Sequence, residues 1–199
     1  MFPDFLENPS DVAAPLLLGC TLTRTITLNG EKHKLVARIV ETEAYDQDDP
    51  ASHAFGGPSE RNAAMFGPAG HLYVYVSYGM HHCCNVVCGP EGFGSGCLVR
   101  AVEPLEGVEV MRELREAGRA RKRPLKLRDF TNGPGKVCAA LGIDKGLYGH
   151  DLTVEPLVLD FTPLLPGETI GSSPRVGISK NTNAQKRFFI KGNEFVSRA

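Results

Sequence analysis

The chain has 199 residues, enough for one substantial core, and its 42% hydrophobic and 23% charged content is that of an ordinary globular protein. No apolar run approaches the roughly 18 residues of a membrane span, and the first residues, with Asp4 and Glu7, do not resemble a secretory leader. A net charge of −1 argues against a strongly basic nucleic-acid binder, yet the basic residues gather in the second half, six of them at Arg119, Arg121, Lys122, Arg123, Lys126 and Arg128, which leaves room for a basic face.

Residues 9–18 read as a short helix, opened by Pro9 and Ser10 and stopped by Gly19. Two strands, 20–28 and 34–42, are joined at Asn29-Gly30, a strong hairpin signal. Residues 46–70 are rich in Asp, Pro, Gly, Ser and Asn and read as loop, and so long a loop is uncommon unless it is functional. The stretch 71–77 alternates as a strand, with Tyr73 and Tyr75 on one face and Val74 and Val76 on the other. A turn at Tyr78-Gly79-Met80 leads to strands at 83–88 and 97–102. Pro104 opens a predicted helix whose apolar residues Leu105, Val108, Met111 and Leu114 recur every three positions, ended by Gly118. A further helix is predicted from Pro134 to Leu141, with Gly142 after it, and a strand at 187–190. Without regular βαβ spacing, these elements predict one α+β domain over 1–199: an antiparallel sheet with a protruding hairpin, surrounded by helices.

Three groups of residues could carry chemistry. Glu41 and Glu43 lie two apart, so in a strand their carboxylates share a face, together with Leu35, Ala37 and Ile39. One could act as a base while the other makes a structural ion pair, and either could partner Arg100; a strand end reaching solvent is the bland alternative. The rings of Tyr45, His53, Tyr73, Tyr75 and Tyr78 form the second group. A half-buried sheet face explains most of them, but Tyr78 beside Gly79 at a turn has little core to fill and could act as a wedge between bases. The cysteines form the third. Cys83, Cys84, Cys88 and Cys97 fall close together without a CxxC pair, a spacing that supports packed thiols over disulfides or a zinc site with His71, His81 and His82.

Several blocks occur in one order along nearly the whole chain: ETEAY at 41–45, ASHAFGG at 51–57, Arg61-Asn62, HLYVYVSYGMHHCCNVV at 71–87, LVRAVEPLEG at 98–107, NGPGKVCAAL at 132–141, RVGI at 175–178 and RFFIKGNEFVS at 187–197. Together they resemble the alkyladenine (3-methyladenine) DNA glycosylase family. The resemblance implies a monofunctional, monomeric base-excision enzyme that needs neither metal nor cofactor. Its partner is double-stranded DNA carrying alkylated or deaminated purines, which it flips out and cleaves at the N-glycosidic bond. Carried onto matching positions, Glu43 corresponds to the base that activates water and Arg100 to the arginine beside that water. Tyr45, His53 and Tyr75 correspond to the rings around the flipped base, Asn85 to the residue discriminating against guanine, and Tyr78 to the residue inserted into the vacated stack. Arg61, Asn62 and Lys136 are expected at the DNA backbone, Lys136 with the free N–H groups of a helix start. A cytoplasmic site, nucleoid-associated in a prokaryote, is the expected location. The chain departs from the family at Ser59-Glu60, where Thr-Pro is usual, which puts backbone binding by that loop in question. It departs again at His81-His82-Cys83-Cys84, which predicts a smaller, more polar pocket wall. A non-catalytic binder of damaged or single-stranded DNA, a metal hydrolase and a glycosylase with lyase activity are the competing readings.

Overall fold

The computed structural model describes residues 4–117 and 123–197. Gly118, Arg119, Arg121 and Lys122, named above as a helix stop and part of a basic run, lie outside the described residues. Eleven elements are followed here: α1 (Ser10–Leu16), β1 (Thr21–Leu28), β2 (Glu31–Asp46), β3 (Leu72–Ser77), β4 (His81–Val87), β5 (Ser95–Glu106), α2 (Val108–Glu116), α3 (Pro134–Leu141), β6 (Leu157–Asp160), β7 (Ile170–Ser173) and β8 (Arg187–Ile190). One sheet runs in the order β3-β4-β5-β2-β1-β6, with β8 also on β2 and β7 on β8. Every ladder is antiparallel. The expected α+β domain is what forms.

The sheet is built around β2. Its first half pairs with β1 from Glu31 to Arg38, its end pairs with β8 at Glu41–Glu43, and its other edge follows β5. On one side of the sheet, Leu72 and Val74, Cys84 and Val86, and Cys97, Val99 and Ala101 point into a single apolar core with α1 and α3. Each fully buried aliphatic side chain there contributes roughly 1.5–3 kcal/mol.

Two sequence expectations change. The strand predicted at 97–102 continues to Glu106, so Pro104 sits in β5 opposite Ala37 and does not open the helix. Proline has no N–H for the ladder, and the register slips beside it, between Val36 and Ala37. The helix starts instead at Val108, after Gly107 at φ 76°, where a Cβ would lie 2.5 Å from Leu35 Cδ2 and 2.6 Å from the Lys34 carbonyl.

The second change concerns β2. Core residues Leu35, Ala37 and Ile39 do not share a face with Glu41 and Glu43. Register shifts between Ile39 and Thr42 hand the core face to Val40 and Ala44, and Thr42 donates its hydroxyl to the Ala14 carbonyl under α1. A bulge re-aims every later side chain of its strand. Here it turns both acids to the opposite side of the sheet.

All six cysteines are free thiols, with Cys88 Sγ 3.6 Å from Cys97 Sγ. Among the described residues, no three His, Cys, Asp or Glu side chains converge as a metal site would require.

Candidate active site

The sheet face away from the core floors a cleft of about 590 Å³, within the size range of small-ligand sites. Alternating residues of four neighbouring strands supply it: Tyr73, Tyr75 and Ser77 from β3, Cys83 and Asn85 from β4, Leu98 and Arg100 from β5, and Glu43 and Tyr45 from β2. The rim comes from residues 50–53, Met65 and residues 176–180. All seven residues assigned to catalysis, base contact or intercalation therefore border one cavity.

The two carboxylates differ in their donors and in their place relative to the cleft. Both side chains are 0% exposed. Glu41 Oε1 accepts from Arg100 Nε at 3.0 Å, Arg187 Nε at 2.6 Å and Ser197 Oγ at 2.8 Å, and its Oε2 accepts from the Ser197 N–H at 2.7 Å. Glu41 thus makes four hydrogen bonds, three of them to Oε1. It is absent from the cleft lining. Glu43 Oε1 accepts from the Val176 N–H at 2.8 Å and lies 3.3 Å from Arg100 Nη1, while its Oε2 accepts only from the Tyr45 hydroxyl at 2.8 Å. One acceptor position remains on Glu43, at the edge of the cavity. Arg100 thus partners both acids, which decides between the alternatives left by the sequence.

The aromatic wall is continuous. Tyr73 and Tyr75 stack at 5.6 Å with their planes 23° apart, and His53 meets Tyr75 edge-on at 4.6 Å. His53 Nδ1 is 3.0 Å from the Tyr73 hydroxyl. Burial pushes the Tyr73 phenol up to about 12 and raises Tyr75 further, so both remain protonated. Burial, then the Coulombic influence of Arg61, lowers His53 below its usual 6.5, which favours a neutral ring. A flat base inserted between His53 and Tyr75 must displace their edge contact, and His53 is the exposed partner of the two. Tyr45 carries the Arg175 guanidinium over its ring at 4.5 Å. Burial and the Glu43 carboxylate push its phenol far above the usual value, keeping it a donor to that carboxylate. Asn85 donates Nδ2 to the Tyr73 carbonyl at 3.4 Å, which leaves most of the amide available to a ligand.

At the tip of the β3–β4 hairpin, Tyr78 is 85% exposed at φ 51°, followed by Gly79 at φ 69° and by Met80, 74% exposed. A bulky residue in the left-handed region is uncommon and costs on the order of 1 kcal/mol. The strain presents two apolar side chains to solvent.

The expected backbone contacts fare differently. Arg61 sits near the Tyr73 phenol, where its positive charge opposes the upward push of burial. Lys136 Nζ donates to Asn132 Oδ1 at 2.6 Å at the start of α3, whose Pro134 borders the cleft. Asn62, by contrast, is buried: its Nδ2 donates to the His53 and Gly57 carbonyls, and its Oδ1 accepts from the Ser59 N–H and hydroxyl. Both amide protons are used, so Asn62 shapes the 53–62 loop and has none left for a phosphate. The expected change of the pocket wall is also corrected. Cys84 faces the core, and His81 packs by Gly135, so of that run only Cys83 meets the cavity. Sequence reasoning gave no role to Arg175, Val176, Arg187 or Ser197. Val176, Arg187 and Ser197 reach the acids from 133 to 156 positions away, Arg175 reaches the Ala44 carbonyl from 131, and no local pattern marks them.

A ring-walled cleft on an antiparallel sheet, bordered by a buried carboxylate beside an arginine, is an enzyme-type site. The model of the methylpurine-DNA glycosylase (MPG) family matches residues 4–194. Relatives provisionally named 3-methyladenine DNA glycosylase include one from Nitrosospira multiformis, 46% identical over 98% of this chain and 92% of its own. Another, from Chlorobaculum parvum, is 48% identical over 98% and 88%, and one from Carboxydothermus hydrogenoformans is 42% identical over 94% and 93%. The chain belongs to the methylpurine-DNA glycosylase family, and so to the DNA glycosylases, hydrolases acting on N-glycosyl bonds.

Proposed function

We propose that the protein, acting as a monomer without metal or cofactor, everts a damaged purine from duplex DNA into the cleft and releases it by attack of a water that Glu43 activates. The observation that carries this reading is the contrast between the acids. Glu41 sits in an ionic cluster off the cleft, whereas Glu43, with an acceptor position left on Oε2, borders a cavity lined by rings. A water there would lie between Glu43 and Arg100. The carboxylate would take its proton and stabilise the oxocarbenium-like sugar as the bond to the base breaks.

The same reading gives the other residues their parts. A base in duplex DNA shields its glycosidic carbon, so the nucleotide has to leave the stack, at a cost of a few kcal/mol that is smallest for damaged bases. Tyr78 fills the gap. Tyr45, Tyr75 and neutral His53 receive the everted ring, and alkylated purines, being cationic, gain about 0.5–2 kcal/mol against electron-rich faces. Asn85 would reject guanine, while Arg61 and Lys136 would meet phosphates.

Two measurements check it. A duplex with a single 3-methyladenine should yield free base and an intact abasic strand, whereas release coupled to strand nicking would favour a lyase that uses Lys180 at the rim. In Tyr78→Ala, affinity for lesion duplex should fall roughly tenfold, about one stacking contact, with a smaller effect on the single-turnover rate. Unaltered affinity would remove the wedge role.

A further inference from the structure

Arg175 lies behind the cleft wall, in the segment between β7 and β8, with its side chain fully buried. A single nitrogen makes its polar contacts: Nη1 donates to the Ala44 carbonyl at 2.8 Å and pairs with Asp49 Oδ2 at 2.7 Å. Nε and Nη2 have no hydrogen-bond partner. Asp49 is held in turn by the Ala51 N–H at 3.0 Å and by Asn181 Nδ2 at 3.1 Å. A buried ion pair is weak grounds for stability by itself, and two unsatisfied guanidinium nitrogens make this one a poor device for that purpose.

What the pair does achieve is geometric. The guanidinium rests on the Tyr45 ring, whose hydroxyl bonds Glu43 Oε2. The next residue, Val176, donates its N–H to Glu43 Oε1. Each oxygen of the carboxylate is therefore gripped by a group that Arg175 puts in place, one through a ring and one through the chain.

We propose that Arg175, with Asp49 as its counter-ion, is the positioning residue for Glu43, setting the carboxylate so that its remaining acceptor site opens into the cleft. This rests on the reading of Glu43 as the base that activates water. Misplacing a reacting group by about 1 Å costs on the order of a hundredfold in rate, so the role has a measurable size.

The test compares single-turnover base release at saturating enzyme with the Kd for the same lesion duplex. Arg175→Met should lose about a hundredfold in rate while the Kd stays within about threefold. Arg175→Lys should recover most of that loss, because one ammonium can replace Nη1 at both of its contacts. If Arg175→Met fails to fold, Asp49→Asn combined with Arg175→Met leaves no lone buried charge and should show the same selective loss of rate. Rate and affinity falling together, a folded Met variant with undiminished rate, or a Lys variant no better than Met would each overturn the proposal. Failure of the underlying reading looks different: Glu43→Gln would then retain the wild-type rate, whatever the Arg175 variants do.

Discussion

Glu43→Gln should release damaged base about 10²–10⁴-fold more slowly than the parent, the usual contribution of a general base, while still binding lesion duplex. The amide keeps the volume of the carboxylate and an acceptor for the Val176 N–H at Oε1, so the wall should stay where it is. What disappears is the anion. Without it the water proposed beside Arg100 loses its proton acceptor, and the positive charge developing on the sugar would lose the counter-charge of Glu43. Single-turnover release of a defined lesion, with affinity measured on the same duplex, separates the two effects. Parallel loss of rate and binding would point to a damaged pocket, and an unchanged rate would remove Glu43 from the chemistry.

The neighbouring acid should behave in the opposite way. Glu41→Ala removes the acceptor shared by Arg100, Arg187 and Ser197, and it leaves two guanidinium groups buried beside each other. Breaking a buried pair from one side costs roughly 3–5 kcal/mol, mostly because the surviving charge is uncompensated. In a chain of this size that corresponds to a fall in Tm on the order of 10 °C, which scanning calorimetry would resolve. Glu43→Gln should shift Tm far less. Two glutamates two residues apart are thus expected to divide by stability, Glu41 carrying far more of it than Glu43, while loss of either disturbs Arg100 at the cleft. A Glu41→Ala protein as stable as the parent would show that the ionic cluster is dispensable.

That division is only half written in the sequence. The spacing of Glu41 and Glu43 puts them on one face of a strand, as β2 does. It cannot say which acid joins the ionic cluster and which borders the cleft, because the deciding donors, Val176, Arg187 and Ser197, come from the far end of the chain. Nor can it show the face itself: the bulge after Ile39 is a matter of register with β5, invisible in the alternation of β2 alone. Pro104 misleads for a related reason, since a proline at a register slip in a strand looks the same as one at a helix start. β7, with the sequence IGSS, carries no strand signal of its own and pairs with β8. The aromatic stripe fared better. Period-two alternation placed Tyr73 and Tyr75 together, and Gly79 marked the turn that exposes Tyr78. The cysteines of β4 show the limit of motif comparison: residue 84 departs from the family pattern, yet its side chain belongs to the core.

The most direct measurement is a crystal structure of the Glu43→Gln protein bound to a duplex containing one damaged purine. The purine should lie everted in the cleft against Tyr75, with His53 displaced to its other face, Tyr78 standing in the emptied stack, and a water within hydrogen-bonding distance of residue 43 and Arg100. A lesion still stacked inside the helix, with the cleft turned away from the DNA, would contradict the proposed function.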